Sequence, residues 1–576
     1  MRILGISALD NDATASLYLD GRWRVIAEER LSRVKLHAGF PELAIHELFE
    51  GAGLDPSDVD HVVYPFLSWW VEGWQILLGY LRDLPYTLTN GDPWRAKLRH
   101  LVEYAKWGIF AVIFHRRHHR NLVSRLRRLG LHRKLTRVDH HAAHAASAYY
   151  TSGYDEALAL TVDWYGSGLS GSVSRCTPDG IERIHRFRYP HSLGLFYGQV
   201  TMALGFKASR HEGKILGLAA YGDPHLLGPK ALGRFVRRDR GDFRYRSAMD
   251  KRFVADLVKE FPREHVAAAY QATLEVVVQE LVAHWAKETG LQDIVLAGGV
   301  AANVKMNQRI AEIDRVRRVF IHPNMGDGGT GVGASLALLS EHGLAKSEEW
   351  ETCYLGSSFT EGEMERALRE AGLEPTRAVD VPAEVARLLA DGKIVARFDG
   401  AMEYGPRALG NRSILIEALD PAINDWLNER LGRTEFMPFA PVTLHEHRHE
   451  RYLNIDTSPE AVRFMTITCE CTPLMRQESP AAVHVDGTAR PQVIRRGDNE
   501  TYYRIVEEYH RLTGIPTLIN TSFNMHEEPI VCTPEDAVRA FLMGRLDYLS
   551  LGPFLVPAPR DLADRPEARS TRATSA

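Results

Sequence analysis

Short apolar-rich runs separated by polar and turn residues open the chain: RILGIS, then ASLYLDG, then RWRVIAEE. They predict strands, with Asp20-Gly21 as a hairpin turn. From about Ala157 strand and helix patterns alternate. ALALTVDW and SGSVSRC read as strands, about Ser192 to Phe206 as a helix, His265 to Thr289 as a long amphipathic helix, and DIVLAGG as a buried strand. EHGLAKSEEWETCYLG, after about Ser340, reads as a connector, and a second α/β unit starts with a helix near Thr360 to Ala371 and the strand GKIVARF. FMTITCECTP alternates like a strand that keeps Cys469 and Cys471 on one face. No internal repeat is visible, and the polar tail from residue 561 to 576 predicts disorder. The expected division is 1–345, with an insert at about 65–137, and 350–560.

That insert breaks the pattern. Its first half is rich in tryptophan and leucine (FLSWWVEGWQILLGYL), and Arg95 to Arg137 holds thirteen Lys or Arg against one acid, Glu103. A helical insert with a solvated basic face accounts for this; so does a cap over an anionic acceptor, or a patch resting on a membrane surface.

Composition narrows the class. A chain of 576 residues, 45% hydrophobic and 25% charged, is a globular protein of two to four domains. Its net charge of −4 gives no reason for nucleic acid as the main partner. The five cysteines form no C-x-x-C pair, which argues against a zinc knuckle or redox dithiol and for structural thiols. The first residues lack a basic and then apolar leader, and the longest apolar run, Trp107 to Phe114, is too short to span a bilayer. The expected setting is the cytoplasm, with a homodimer as a candidate state.

Candidate chemistry starts at DHHAAHAASAYY, where His140 and His144, at i,i+4, share one face of a helix while His141 points elsewhere. Asp163 follows the strand ALALTV and Asp327 lies in HPNMGDGGTGVGAS, both at strand ends. Two His and two Asp suit a divalent ion: Fe, Zn or Mn. Gly298 and Gly299, with Asn303, and Gly328 in the second glycine loop are candidates for a nucleotide cradle. EGKILG adds Lys214, a candidate phosphate contact. A denser polar set gathers downstream: Arg407, Asn411, Arg412 and Ser413, then Arg433, Arg490, Asn520, Ser522 and Asn524. Guanidinium forks with amide and hydroxyl donors suit phosphates.

In order, DHHAAHAASAYY, EGKILGLAAYG, LAGGVAANVKMN, GDGGTGVGAS, EYGPRALGNRS, FMPFAP and NTSFNMHEEPIV resemble the NodU/CmcH family of O-carbamoyltransferases, from Met1 to about Pro557 apart from the insert. The resemblance implies an N-terminal domain of the actin-like ATPase fold and a C-terminal YrdC-like domain. It implies carbamoyl-adenylate made from carbamoyl phosphate and ATP (with Mg) by the C-terminal set, then transfer to the hydroxyl of a small molecule. It also implies a metal on His140, His144, Asp163 and Asp327. A hydrogenase-maturation role would call for cysteine pairs that the chain lacks. Other readings are delivery to an amine, thiol or lipid-linked acceptor, or a nucleotide-binding partner protein without transfer. Three departures bear on transfer. Asn11 stands where the family carries a histidine in H-D-A-S-A, which leaves Asp12 as the candidate base beside Asn11 and Lys214. DWYGSG replaces the D-G-x-G-D/E-G loop, with Trp164 for a glycine, expected to narrow the pocket, and Ser167 for an acid. Leu431 and Met437 stand where many relatives have Lys and Arg.

Overall fold

The computed structural model describes residues 1–8, 12–89, 94–245, 251–432 and 437–559. The opening hairpin forms around Asp20-Gly21 as expected, with Arg2–Ser7 paired antiparallel to Thr14–Leu19 and that strand to Arg22–Ala27. On the other edge of Arg2–Ser7 lie the parallel strands His61–Tyr64 and Leu135–Arg137. A second sheet repeats this plan. Ala157–Gly166, Leu169–Thr177 and Gly180–Arg188 form an antiparallel meander, and Asp293–Ala297 and Arg318–Ile321 add in parallel beyond the first strand. Both sheets thus read third, second, first, fourth, fifth strand. Helix His140–Tyr150 packs on the second sheet, helix Thr330–Glu341 on the first, and the two helices pack on each other. This duplicated plan is the actin-like ATPase fold. It corrects the absence of a repeat, because the duplication lies in strand order and pairing and leaves no matching residues to read. Nor does the alternation reading include the third meander strand, Gly180–Arg188.

The C-terminal unit is the mixed α/β sheet expected of a YrdC-like domain. Its order is Gln492–Ile494, Ala440–Leu444, Thr517–Ser522, Arg412–Glu417, Val395–Phe398, Tyr548–Leu551 and Phe554–Pro557. Alternation along its strands divides two cores. Val395 and Leu415 face helices Val381–Ala390 and Glu500–Thr513, while Ala396 and Ile414 face Glu361–Glu370 and Pro534–Met543.

Two local expectations change. Strand pairing in FMTITCECTP is limited to Cys469–Glu470 and a single bridge from Cys471 to Tyr452, since residues 461–464 turn into a short 3-10 helix and Met465 takes φ 57°. Arg263–Thr289 is buried on more than one face, because other helices and the second sheet surround it. It is long and apolar enough to cross a bilayer, yet 67% of its most apolar window is buried inside the protein.

The insert is a helical hairpin, Trp69–Thr89 and Trp94–Arg128. Ile76, Tyr80 and Tyr104 join Tyr189 of the body in a small core. Beneath it the Asp83 carboxylate accepts from Tyr104 Oη at 2.6 Å, faces His191 Nε2 at 3.1 Å and pairs with Arg244. Burial pushes that carboxyl up, but these partners outweigh it and hold it well below the usual range.

Candidate functional site

Asp139 caps helix His140–Tyr150 by accepting from Ala142 N at 3.0 Å, which starts the helix so that His140 and His144 point to one side. Asp163 enters from the second sheet and Asp327 from the loop after Arg318–Ile321. Their four ligand atoms lie within 4.8 Å of one another. His144 Nε2 is 3.1 Å from His140 Nε2 and 3.0 Å from Asp163 Oδ2. Both imidazoles stand 3.6 Å from Asp327 Oδ1. A tetrahedral ion with donors near 2.05 Å places them about 3.3 Å apart, so this set is the right size for one. Two buried imidazole nitrogens facing each other between carboxylates also need a proton or a cation between them, and the donor chemistry fits Fe, Zn or Mn. Burial lowers the His144 pKa, but hydrogen bonds and charge from Asp163 and Asp327 win and raise it to about 9. Burial pushes Asp163 up, and the two histidines more than reverse it, driving the carboxyl well below its usual range. His141 is turned away, as its place on the helix predicts, with Nδ1 3.0 Å from Thr161 Oγ1.

The DWYGSG loop closes the back of this cluster. A Cβ on Gly166 would lie 2.0 Å from His140 Cδ2, so only glycine lets the strand pass behind that ring. Gly166→Ala is therefore expected to displace His140 and to lower bound metal at least about tenfold, as read by elemental analysis after dialysis. The expected narrowing by Trp164 is not what this arrangement produces. Its indole lies on helix Leu193–Ala203, where a Cβ on Gly198 would come within 2.5 Å of Trp164 Cζ3. Ser167 accepts from His140 N at 3.1 Å and donates to Glu72 Oε1 at 3.0 Å. Glu72, fully buried, also accepts from Tyr165 Oη at 2.7 Å and Leu67 N at 2.8 Å. A carboxylate from the insert thus stands beside the serine that replaces the family's acid. Sequence reasoning missed it; its one signal is a lone acid in the Trp-rich run WWVEGW.

Asp12 takes φ 57°, and a Cβ on Gly326 would lie 4.0 Å from its Oδ2, so the carboxyl lies beside the Asp327 loop. Burial, then the charges of Glu29 and Asp327, raise its pKa to about 7 against Arg30. Asn11, Arg433 and the tail lie outside the described residues. Gly298, at φ 101°, abuts Val162 O, and a Cβ on Gly299 would come 3.2 Å from Asp163 Oδ1, so this loop borders the cluster. Gly328 sits against Asn324 and Thr14. Asn303 caps the next helix through Met306 N at 3.0 Å and exchanges hydrogen bonds with Gln271. Lys214 is buried, with Nζ 6.0 Å from the Phe206 ring centre.

In the C-terminal unit, strand pairing brings the distant motifs together: Ser413 opposes Ser522, and Asn520 opposes Ala440. Glu403 Oε1 accepts from the backbone N of Leu409, Asn411 and Arg412 at 2.9, 2.9 and 3.1 Å, shaping the GPRALGNRS loop. Several expected ligands turn out to build this loop. Arg412 is fully buried, donates to Asp399 O at 2.7 Å, Asn411 O at 2.9 Å and Gly400 O at 3.2 Å, and stacks 3.6 Å from the Phe398 centroid. Burial lowers its pKa to about 10, still charged at neutral pH. Ser413 Oγ accepts from Gly410 N, Asn411 Nδ2 donates to Ala401 O, Asn520 Nδ2 to Ala408 O and Gln492 Oε1, and Asn524 Nδ2 to Met525 O. Spacing and residue type show none of these contacts within the loop, which depend on the fold. Arg407, Arg490 and Ser522 keep partial exposure. Leu431 is core, 1% exposed.

The two sites adjoin. Tyr404, just before Gly405-Pro406-Arg407, meets His322 Nε2 at 2.9 Å, and Arg30 donates to Gly405 O at 3.1 Å. A cavity of about 210 Å³ lies between the units, lined by Gln271, Glu275, Lys305, Met437, His484 and Asp486. Lys305 and Asp486 pair across it at 2.8 Å.

Residues 2–336 match the family model Carbamoyltransferase N-terminus and residues 386–557 match Carbamoyltransferase C-terminus. The chain is 33% identical to protein sll1178 of Synechocystis sp., with 96% of each covered. It is 30% identical to Nodulation protein NolNO of Sinorhizobium fredii, over 95% of this chain and 79% of that one. Nodulation protein U of Rhizobium tropici is 29% identical over 95% of each. Among solved structures, full-length HypF in a phosphate- and nucleotide-bound form has a TM-score of 0.32 and 14% identity, over 59% of this chain and 46% of that one.

Proposed function

The chain belongs to the carbamoyltransferase family, and from that premise we propose that it forms carbamoyl-adenylate and passes the carbamoyl group to a hydroxyl. In the C-terminal unit water attacks carbamoyl phosphate, its bond to the phosphate group breaks, and carbamate and phosphate result. A carbamate oxygen then attacks the α-phosphorus of Mg-bound ATP, and pyrophosphate leaves. In the N-terminal unit the acceptor oxygen attacks the carbamoyl carbon, the C–O bond to AMP breaks, and the hydroxyl proton passes to a base. The observation that carries this reading is the junction of the two sites, where the GPRALGNRS loop abuts the N-terminal unit through Tyr404 and His322. Such a junction would let a labile mixed anhydride pass from one side to the other out of reach of water.

Each group has a part that follows from its placement. Arg407, Arg490 and Ser522 are the polar candidates for the phosphates, on a loop that Glu403, Arg412, Ser413, Asn411 and Asn520 hold in shape. His140, His144, Asp163 and Asp327 would hold a divalent ion, which when bound supplies positive charge to a phosphate or carbamoyl oxygen. Gly298 and Gly299 let backbone come close to that place. Asp12, beside the Asp327 loop, is the carboxylate in position to take the acceptor's proton.

The first test needs no acceptor: purified protein with ATP and carbamoyl phosphate should release pyrophosphate only when both are present, with carbamoyl-adenylate detected by mass spectrometry. Protein shown to bind ATP but releasing nothing, even with candidate hydroxyl acceptors added, would sink the adenylate route. Asp12→Asn is expected to retain this release and to lose about a hundredfold in transfer; an unchanged transfer rate would remove Asp12 from the reaction.

A further inference from the structure

The hairpin that interrupts the first sheet presents an outer surface that the reaction does not use. On helix Trp69–Thr89 the exposed large apolar residues are Trp70, Trp74, Leu77, Leu81 and Leu88. Their spacing of four, three, four and seven places all five on one narrow stripe at about 100° per residue. On helix Trp94–Arg128 exposed Trp94, Leu98, Val102, Ile109 and Ile113 make a second stripe, with exposed Phe110 beside it. Trp94, Trp70 and Trp74 are 69%, 62% and 56% exposed, too much apolar surface to leave in water without a use.

The charges are arranged around it. Counting on from Ile109 and Ile113 by the same spacing reaches Arg116, Arg120 and Arg127, all exposed, so one stripe changes from apolar near the hairpin turn to cationic at the stem. The helices run antiparallel, with Arg116 5.5 Å from the Trp69 ring centre. Among the described residues the hairpin's acids are kept off this face. Glu72 and Asp83 are buried on the inner side, and Glu103 is half-buried against Trp107 Nε1 at 3.1 Å.

We propose that this hairpin is a membrane-docking element that lays its Trp- and Leu-bearing stripes into the interface of an anionic bilayer, with the arginine stem on the lipid phosphates. Tryptophan favours that boundary, being apolar with one polar N–H, and arginine pairs with phosphate there. A second copy of the chain fits less well. Parallel pairing of two hairpins opposes arginine to arginine, and antiparallel pairing lays a cationic stem on an apolar tip. Docked this way, the buried side of the hairpin, where Glu72 holds Ser167 next to His140, keeps the metal-type cluster close to the lipid surface.

The test is sedimentation of the full chain with vesicles of phosphatidylcholine and phosphatidylglycerol, and with phosphatidylcholine alone. The protein is expected to pellet with the anionic vesicles and at least about tenfold less with the neutral ones or at high salt. Trp70→Gln/Trp94→Gln and Arg116→Gln/Arg120→Gln change exposed residues, and circular dichroism checks their folding. Each should weaken the partition, the arginine pair by about thirtyfold. No pelleting, or equal pelleting of wild type and both folded variants, overturns the proposal. So does a dimer in light scattering that the tryptophan variant abolishes, which would assign the face to a second copy.

Discussion

His144→Ala should block carbamoyl transfer by about a hundredfold or more and strip the metal, while pyrophosphate release from ATP and carbamoyl phosphate continues. His144 is the hub of the cluster: its Nε2 lies 3.0 Å from Asp163 Oδ2, 3.1 Å from His140 Nε2 and 3.6 Å from Asp327 Oδ1. Without it two carboxylates and one imidazole remain, a poorer site for a divalent ion. Alanine suits the middle of helix His140–Tyr150, so the fold should survive and the melting temperature should stay within a few degrees. The readouts are metal content, pyrophosphate release and acceptor carbamoylation on one preparation. Equal loss of both half-reactions in a folded, metal-depleted variant would sink the division of labour between the two sites.

Arg412→Ala should do the reverse: abolish pyrophosphate release and leave metal binding in the N-terminal unit intact. The reason is structural. Truncation strands the carbonyls of Asp399 and Gly400, leaves Asn411 O with only the Asp399 N–H, and removes the stack on Phe398, a loss of about 4 kcal/mol in a buried place. The loop that carries Arg407 loses its shape with it. Thermal melting separates the two meanings of an inactive variant. A melting temperature several degrees lower supports the framework role, whereas full stability with lost release would return Arg412 to the phosphate ligands. Arg412→Lys should recover little, since an ammonium cannot fork to several carbonyls and stack at once.

Much of the N-terminal cluster was legible along the chain because its logic is local. An i,i+4 histidine pair keeps its common face wherever the helix goes, and aspartates after buried strands emerge at strand ends. The C-terminal set was legible as a collection, but the contacts its members make with one another were not. Arg412, Asn411, Ser413 and Asn520 sit in glycine- and proline-broken loops, which suggested ligands facing solvent. Their donors go instead to backbone carbonyls and side-chain amides inside the loop, or, for Ser413, the hydroxyl accepts from Gly410 N. A loop shaped to meet phosphate needs its own polar support, and the same residue types do both jobs.

The insert shows the same boundary. Its helices, its tryptophans and the thirteen-to-one excess of basic residues follow from periodicity and composition. That Glu72 points inward to Ser167 while Trp70 points out depends on where the body of the protein lies, which no local pattern encodes. So too for the duplicated sheets: each strand is set by its own apolar run, but their matched order arises from pairing between residues far apart in the chain. Residue type and spacing settled the chemistry available to this protein. Burial and long-range pairing assigned it, because a side chain acts on whatever the fold brings within a few ångströms.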